Sequence, residues 1–295
     1  MRGIRAGLLV VATSMLALAG AATAPAFDAS RAYEDIRQLV AIGPRPPGSP
    51  GSAAARRYIL AELQKAGIPA HEQPFDATTP IGPIRMANVI GVIEGARPER
   101  ILLGGHYDTK LFRQFRFVGA NDGGSSTAML LELGRVLKAR KNPFTIELVF
   151  FDGEEALVSW TGNDHTYGSR HYVAAARRDG TLGRIKALIL FDLVGDRHLT
   201  IRRESHSTRW LTDLIWASAK RLGHGAFFLD EWLPVEDDHK AFLEAGVPAV
   251  DIIDLEYAAW HTPRDTIEQV SARSLQIVGD VFLDALPAIE KKLAE

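Results

Sequence analysis

Apolar positions recur at helical spacing from Ala29 to Val40. The chain then enters Gly43-Pro44-Arg45-Pro46-Pro47-Gly48-Ser49-Pro50, a run that no helix continues through. The same rhythm predicts a second helix over about Ser52 to Lys65, with Tyr58, Ile59, Leu60 and Leu63 on or near one face and Gly67-Ile68-Pro69 as its stop. Runs rich in β-branched residues predict strands over Met86 to Ile93 and Ile101 to Gly105. The pattern then alternates: helix Ser126 to Arg140, strand Thr145 to Phe151, helix Ser169 to Arg178, strand Ile185 to Phe191, helix Thr208 to Arg221. A short helix after Asp237-Asp238, a strand from Ala249 to Ile253 and a helix from Ser271 to Leu293 complete the series.

Strands alternating with helices predict an α/β fold, a mainly parallel twisted sheet with helices on both faces. No internal repeat and no linker divides the chain after Pro50, so residues 27–295 read as one α/β domain. Ligands of such sheets bind beyond the carboxyl ends of the strands, and the chemistry is expected there.

Composition narrows the class. The 295 residues are 46% hydrophobic and 24% charged, which excludes a disordered or collagen-like chain and a polytopic membrane protein. With 34 Lys and Arg against 36 Asp and Glu, no basic field gathers nucleic acid. Met1-Arg2-Gly3-Ile4-Arg5, the apolar stretch Ala6 to Ala19 and the A-x-A pattern Ala24-Pro25-Ala26 have the order of a secretory signal peptide over residues 1–26. The apolar part is shorter than the ~20 residues that span a bilayer. Cleavage is therefore expected rather than a retained anchor, giving an exported, periplasmic or secreted protein without stable membrane insertion. There is no cysteine, hence no disulfide and no lipid-bearing thiol, and stability rests on the core and on a metal.

Six strand-end or loop sites carry Asp, Glu and His. They are His106-Tyr107-Asp108, Asn121-Asp122, Asp152-Gly153-Glu154-Glu155 after the apolar run Leu148 to Phe151, Asp192, Asp237-Asp238-His239, and Trp260-His261. Taken singly, each also reads as a polar turn, a helix cap or a structural histidine. Two adjacent glutamates after a buried strand suit a divided role, one binding metal and one moving protons. Carboxylates with imidazole and no thiolate fit catalytic zinc, whereas calcium takes more oxygens and no His.

From about His106 to Thr266 the chain resembles the zinc-dependent glutaminyl cyclases, which share a fold with dinuclear zinc aminopeptidases. The matching stretches are Gly105 to Thr109, Asn121-Asp122, Phe150 to Glu155, Trp160, Tyr167 to His171, Asp192 to Gly195, Asp237 to His239, Gly246 to Pro248 and Trp260 to Thr262. The resemblance implies a three-layer α/β/α fold around a mixed, mainly parallel sheet. It implies zinc ligands at Asp122, Glu155 and His261, a general acid/base at Glu154, and carboxylates of a proton network at Asp192 and Asp237. Trp260, Trp160 and Tyr257 fall at substrate-binding positions. Asp251 stands where animal cyclases have a His, their cysteine pair is missing, and Asp254 to Ala259 does not match their pocket loop closely.

The activity so implied is conversion of an N-terminal Gln of peptides or proteins to pyroglutamate with release of ammonia, using one Zn2+ per chain. Two alternatives share these residues. A zinc aminopeptidase would hold a second zinc on His106 and Asp192 with Asp122 as the bridge. A non-catalytic, metal-stabilised binding domain would have no need of Glu154.

Overall fold

The computed structural model describes residues 26–295, so the signal-peptide reading of residues 1–26 lies almost wholly outside it. Six strands form one sheet in the order β1 (Ala70–Thr79), β2 (Gly82–Ile93), β4 (Phe144–Phe151), β3 (Arg97–His106), β5 (Ile185–Asp192) and β8 (Ala249–Ile253). The first two pairings are antiparallel, and β4·β3, β3·β5 and β5·β8 are parallel. This is the mainly parallel sheet that the alternation predicts, mixed as the resemblance implies. The helices are α1 (Ala29–Ile42), α2 (Pro50–Lys65), α3 (Gly124–Lys138), α4 (Tyr167–Arg178), α5 (Arg209–Arg221), α6 (His239–Glu244) and α7 (Ala272–Ala294).

Alternation along the central strands builds the layers. Ile101, Leu103, Ile146, Leu148, Phe150, Ile189 and Phe191 face a core shared with Ile36 of α1, Ile59 of α2, Leu130 of α3, Ile215 of α5 and Phe282 of α7. Leu102, Val149, Phe151, Leu188 and Leu190 face the other way, onto Tyr172 of α4 and Phe242 of α6. Strands buried on both faces read as continuous apolar runs, and each such side chain contributes about 1.5–3 kcal/mol by leaving water. Asp28 caps α1, Ser49 caps α2 with Pro50 in its first turn, and Ser271 caps α7.

Two features differ from the pattern-based expectation. Strand β1, with Pro74 inside it and a half-exposed polar composition, is the outer partner of a hairpin with β2. A sheet edge tolerates proline because one row of N–H groups needs no partner there. A small separate sheet joins β6 (Ile201–Glu204) to β7 (Phe228–Leu233), two strands too short to declare themselves by period. Among the described residues no helix is long and apolar enough to cross a membrane.

Candidate metal centre and pocket

The chain leaves β3 toward α3 on one face of the sheet and leaves β4 toward α4 on the other, so a crevice opens beyond the carboxyl ends of these neighbours. His106 and Asp108 leave β3, Glu154 and Glu155 leave β4, and Asp192 ends β5. Asp122 lies just before α3, Asp237 just before α6, and His261 on the loop after β8. The two loops nearest the sheet touch closely. Gly123 has φ +75°, and a Cβ there would meet the Asp108 carbonyl at 2.4 Å, so only glycine permits both the backbone turn and the approach.

Hydrogen bonds then fix each carboxylate. Asp108 accepts from the backbone N–H groups of Glu154 at 3.1 Å and Glu155 at 3.3 Å. Asp265 accepts from the N–H groups of Asn121 at 2.9 Å and Asp122 at 3.1 Å. The Asn121 amide ties this loop to the exit of β5, donating to Leu193 O and accepting from Gly195 N. Leu193 and His261 both have φ 52°, and Thr166, whose N–H bonds Glu154 O, has φ 48°. Strain of this kind in non-glycine residues persists only where the surroundings over-determine it.

Asp122 sits between two imidazoles. Its Oδ2 is 3.4 Å from His261 Nε2, which is itself 2.9 Å from Glu155 Oε1. Its Oδ1 is 3.4 Å from His106 Nε2, which is 3.2 Å from Asp192 Oδ1. Asp122, Glu155 and His261 thus offer ligand atoms within 4.8 Å of one another, and so do His106, Asp122 and Asp192. Ligands about 2.0–2.1 Å from a tetrahedral zinc lie roughly 3.3 Å apart, close to these spacings. Asp122 Oδ2 is buried without a hydrogen-bond partner, as a ligand atom awaiting a cation would be. The donor set of two carboxylates and one imidazole fits zinc.

The pocket beyond these groups has a volume of about 350 Å³. Asp122, Glu154, Glu155, Asp192, Asp237 and His261 stand in its lining, and Val235, Ile253, Leu255, Trp160 and Trp260 supply apolar wall. Trp260 stacks on His261 at 4.2 Å, Trp160 stacks on His165 at 4.4 Å, and Phe112 and Phe117 meet the His261 ring edgewise. Tyr257, expected at the substrate wall, is a correction: it is buried behind the pocket with Leu193, Val235 and Ile253, and its hydroxyl donates to Asp265 at 2.7 Å. A buried phenol needs an acceptor, and Asp265 holds it away from the cavity.

Burial pushes the Glu154 carboxyl well above its ordinary pKa, with the charges of Asp237, Glu155 and Asp238 adding to the rise against His106. Burial likewise raises Asp237, reinforced by Asp192 and Asp238. Asp122 is raised to about 7 by burial and by the Glu155 charge. For Glu155 burial is outweighed by His261 and Lys110, and its carboxyl lies below the ordinary value. Two adjacent glutamates are thereby driven apart, one toward holding a proton and one toward staying ionised.

Several residues at the site carried no separate signal in sequence. Lys110 donates to Glu155 Oε2 at 3.3 Å and to Ala156 O at 3.0 Å. Asp164 gathers the N–H groups of Leu157, Val158 and Ser159 and so shapes the loop bearing Trp160. Asp265 and Arg45 act from below the loops.

The model for Peptidase family M28 matches residues 88–286. The chain is 34% identical to the glutaminyl-peptide cyclotransferase-like protein of Mus musculus, over 78% of this chain and 68% of that one. The solved glutaminyl cyclase of an Acidobacteriales bacterium aligns with TM-score 0.88 at 39% identity, covering 96% of this chain and 100% of that one. The Porphyromonas gingivalis glutaminyl cyclase aligns with TM-score 0.82 at 29% identity, covering 89% and 99%. The chain belongs to peptidase family M28 and, within it, to the glutaminyl cyclases.

Proposed function

We propose that the protein is a glutaminyl-peptide cyclotransferase that closes the N-terminal Gln of exported peptides or proteins to pyroglutamate and releases ammonia. The observation that carries this reading is the meeting of the Asp122, Glu155 and His261 donor set with the buried Glu154 carboxyl in one narrow pocket walled by Trp160 and Trp260. One zinc held by the three donors would act as a Lewis acid toward the side-chain amide carbonyl of the substrate.

The protein's own groups do the rest. The apolar wall holds the Gln side chain folded toward its α-amine, so an intramolecular attack gains from orientation rather than from collision. Glu154 takes a proton from the attacking α-amine and returns it to the departing amide nitrogen, which leaves as ammonia. A carboxyl raised by burial suits both halves of that exchange. Asp192 and Asp237, which line the pocket with Glu154, serve the proton network. Residues 27–295 act as one catalytic domain after removal of the signal peptide.

A second reading, the two-zinc aminopeptidase, has one observation in its favour: His106, Asp122 and Asp192 make a second donor group. In that reading Glu154 would activate water and the N-terminal residue would be released. Incubating a Gln-initiated peptide with the zinc-loaded protein and reading the product mass separates the two. Loss of ammonia is expected, and loss of the first residue would replace the cyclase reading.

A further inference from the structure

We infer that Arg45 is a positioning residue for the metal-holding loops, setting the separation of Asp108 and Asp122 without touching substrate. The inference rests on the reading that Asp122 holds the metal. Arg45 lies in the Pro/Gly-rich turn between α1 and α2 and is fully buried.

All five side-chain hydrogen bonds of Arg45 end on backbone carbonyls, and they fall into two directions. Its Nη1 reaches Leu39 O at 3.4 Å and Gly43 O at 3.2 Å in its own neighbourhood. Its Nε reaches Tyr107 O at 2.9 Å, where the chain leaves β3, while Nη1 and Nη2 reach Val118 O at 2.7 Å and Gly119 O at 2.9 Å. The main chain adds a second tie. Arg45 N donates to Thr109 Oγ1 at 2.9 Å, and Thr109 N donates to Arg45 O at 3.3 Å. One rigid fork therefore grips the loop carrying Asp108 and the loop carrying Asp122 together.

The fit leaves no slack. Gly119 has φ +50°, and a Cβ on it would meet Asp122 O at 2.3 Å and Thr109 Cγ2 at 2.8 Å. A guanidinium presents planar donors in fixed directions, whereas a lysine presents a point charge that cannot span both loops. Burying a cation without a carboxylate partner is costly, and burial lowers the Arg45 pKa to about 10 against the pull of Asp265, Asp108 and Asp122. The side chain stays a cation at neutral pH, and three of its five hydrogen bonds, the shorter ones at 2.7–2.9 Å, go to the loops of the metal centre.

The test compares wild type with Arg45→Lys. Zinc affinity is read by chelator competition in the absence of substrate, the visible spectrum is read after cobalt substitution, and circular dichroism checks the fold of the metal-free protein. The expected result is a folded protein whose zinc dissociation constant rises ~10–100-fold, the range for losing an outer support of a metal ligand. Its cobalt bands should shift, and at saturating zinc kcat should fall with KM unchanged. A folded Arg45→Lys protein with wild-type zinc affinity and cobalt spectrum would overturn the inference. If Arg45→Lys does not fold, Thr109→Val decides, because it removes only the hydroxyl acceptor for Arg45 N. A several-fold loss of zinc affinity in Thr109→Val supports the inference and an unchanged affinity overturns it. Failure of the wild type to release ammonia from a Gln peptide would count against the cyclase reading alone, since zinc affinity is measured without turnover.

Discussion

Two regions of the molecule each gather several buried acids, and the regions treat them differently. In the layer formed by α1, α2 and α3, every oxygen of Asp35 and Glu132 is partnered. Arg135 reaches Asp35 at 2.6 Å, Glu62 at 3.0 Å and Glu132 at 3.2 Å, Arg31 reaches Glu132 at 2.6 Å, and the Tyr58 hydroxyl adds a bond to Asp35. At and beyond the carboxyl ends of the strands, Asp122 and Asp237 each leave one oxygen without a hydrogen-bond partner, and Asp238 and, within β8, Asp251 leave both. Buried charge is stable when paired and costly when not. The helical layer is arranged for stability, while the strand ends hold an excess of negative charge that only a cation and shared protons can relieve.

The largest effect should come from withdrawing that cation. Chelation is expected to abolish turnover and lower the melting midpoint, since a ligand at a thousand times its dissociation constant stabilises a fold by about 4 kcal/mol. A metal-free preparation that melts and turns over like the untreated one would erase the contrast between the regions. Glu154→Gln comes next. It keeps the shape of the pocket and removes the carboxyl proposed to carry the proton, so turnover should fall ~100- to 10,000-fold with zinc content and melting midpoint nearly unchanged. A rate close to wild type would assign the proton to another group.

Much of this contrast was legible in the chain before folding, for a physical reason. Strands β3, β4, β5 and β8 are apolar runs, and each delivers its acid or histidine at or near its end or on the loop beyond, so Glu154, Glu155, Asp192 and His261 stand out as polar groups tied to buried strands. Asp265 and Arg45 were not legible. One sits in Pro263-Arg264-Asp265-Thr266 and the other among prolines and glycines, where charged residues ordinarily face water. Their work exists only after the loops meet, when Asp265 receives the N–H groups of Asn121 and Asp122 and Arg45 collects carbonyls. Tyr257 was misplaced for the same reason, because its hydroxyl follows Asp265 rather than the pocket. Strand β1 escaped because an edge strand need not alternate cleanly.

Arg135→Met tests the paired region. Removing the guanidinium leaves Asp35 with the Tyr58 hydroxyl alone, whereas Glu132 keeps Arg31 and Glu62 keeps Lys65, and loss of one partner from a buried pair costs about 3–5 kcal/mol. Denaturant titration should register that loss while zinc content and turnover per folded molecule hold. A parallel fall in zinc affinity would mean that the two regions are not separable. Glu204 marks the border between them, because it lies near the strand ends yet is fully partnered. It accepts from His239 at 3.0 Å, from the N–H groups of His206, Ser207 and Val235, and from the Ser207 hydroxyl. Burial raises its pKa, but these donors outweigh it and bring the carboxyl from 4.5 to about 2. The folded form therefore favours the ionised group. Its stabilisation is fully present above pH 4.5 and is lost as pH falls through about 2. Urea midpoints followed from neutral to acid pH should fall more steeply in wild type than in Glu204→Gln, and equal slopes would show that the donors do not hold the charge.

Trp260 gives the smallest effect and probes the pocket where excess charge meets apolar wall. Its ring stacks on His261 at 4.2 Å and is 43% exposed to solvent. In the cyclase reading the indole offers a flat wall and one N–H donor to a Gln side chain folded back beside the metal ligands. Trp260→Phe keeps an aromatic face over the imidazole and removes the donor. Leaving a polar partner unpaired costs about 1–3 kcal/mol, so Gln cyclisation should slow by roughly ten- to a hundredfold. The melting midpoint should barely move, because the ring is half in solvent and stabilises little by burial. If the rate on a Gln peptide is the same in Trp260→Phe as in wild type, the residue is wall alone, and the N–H contact assigned to it must be given up.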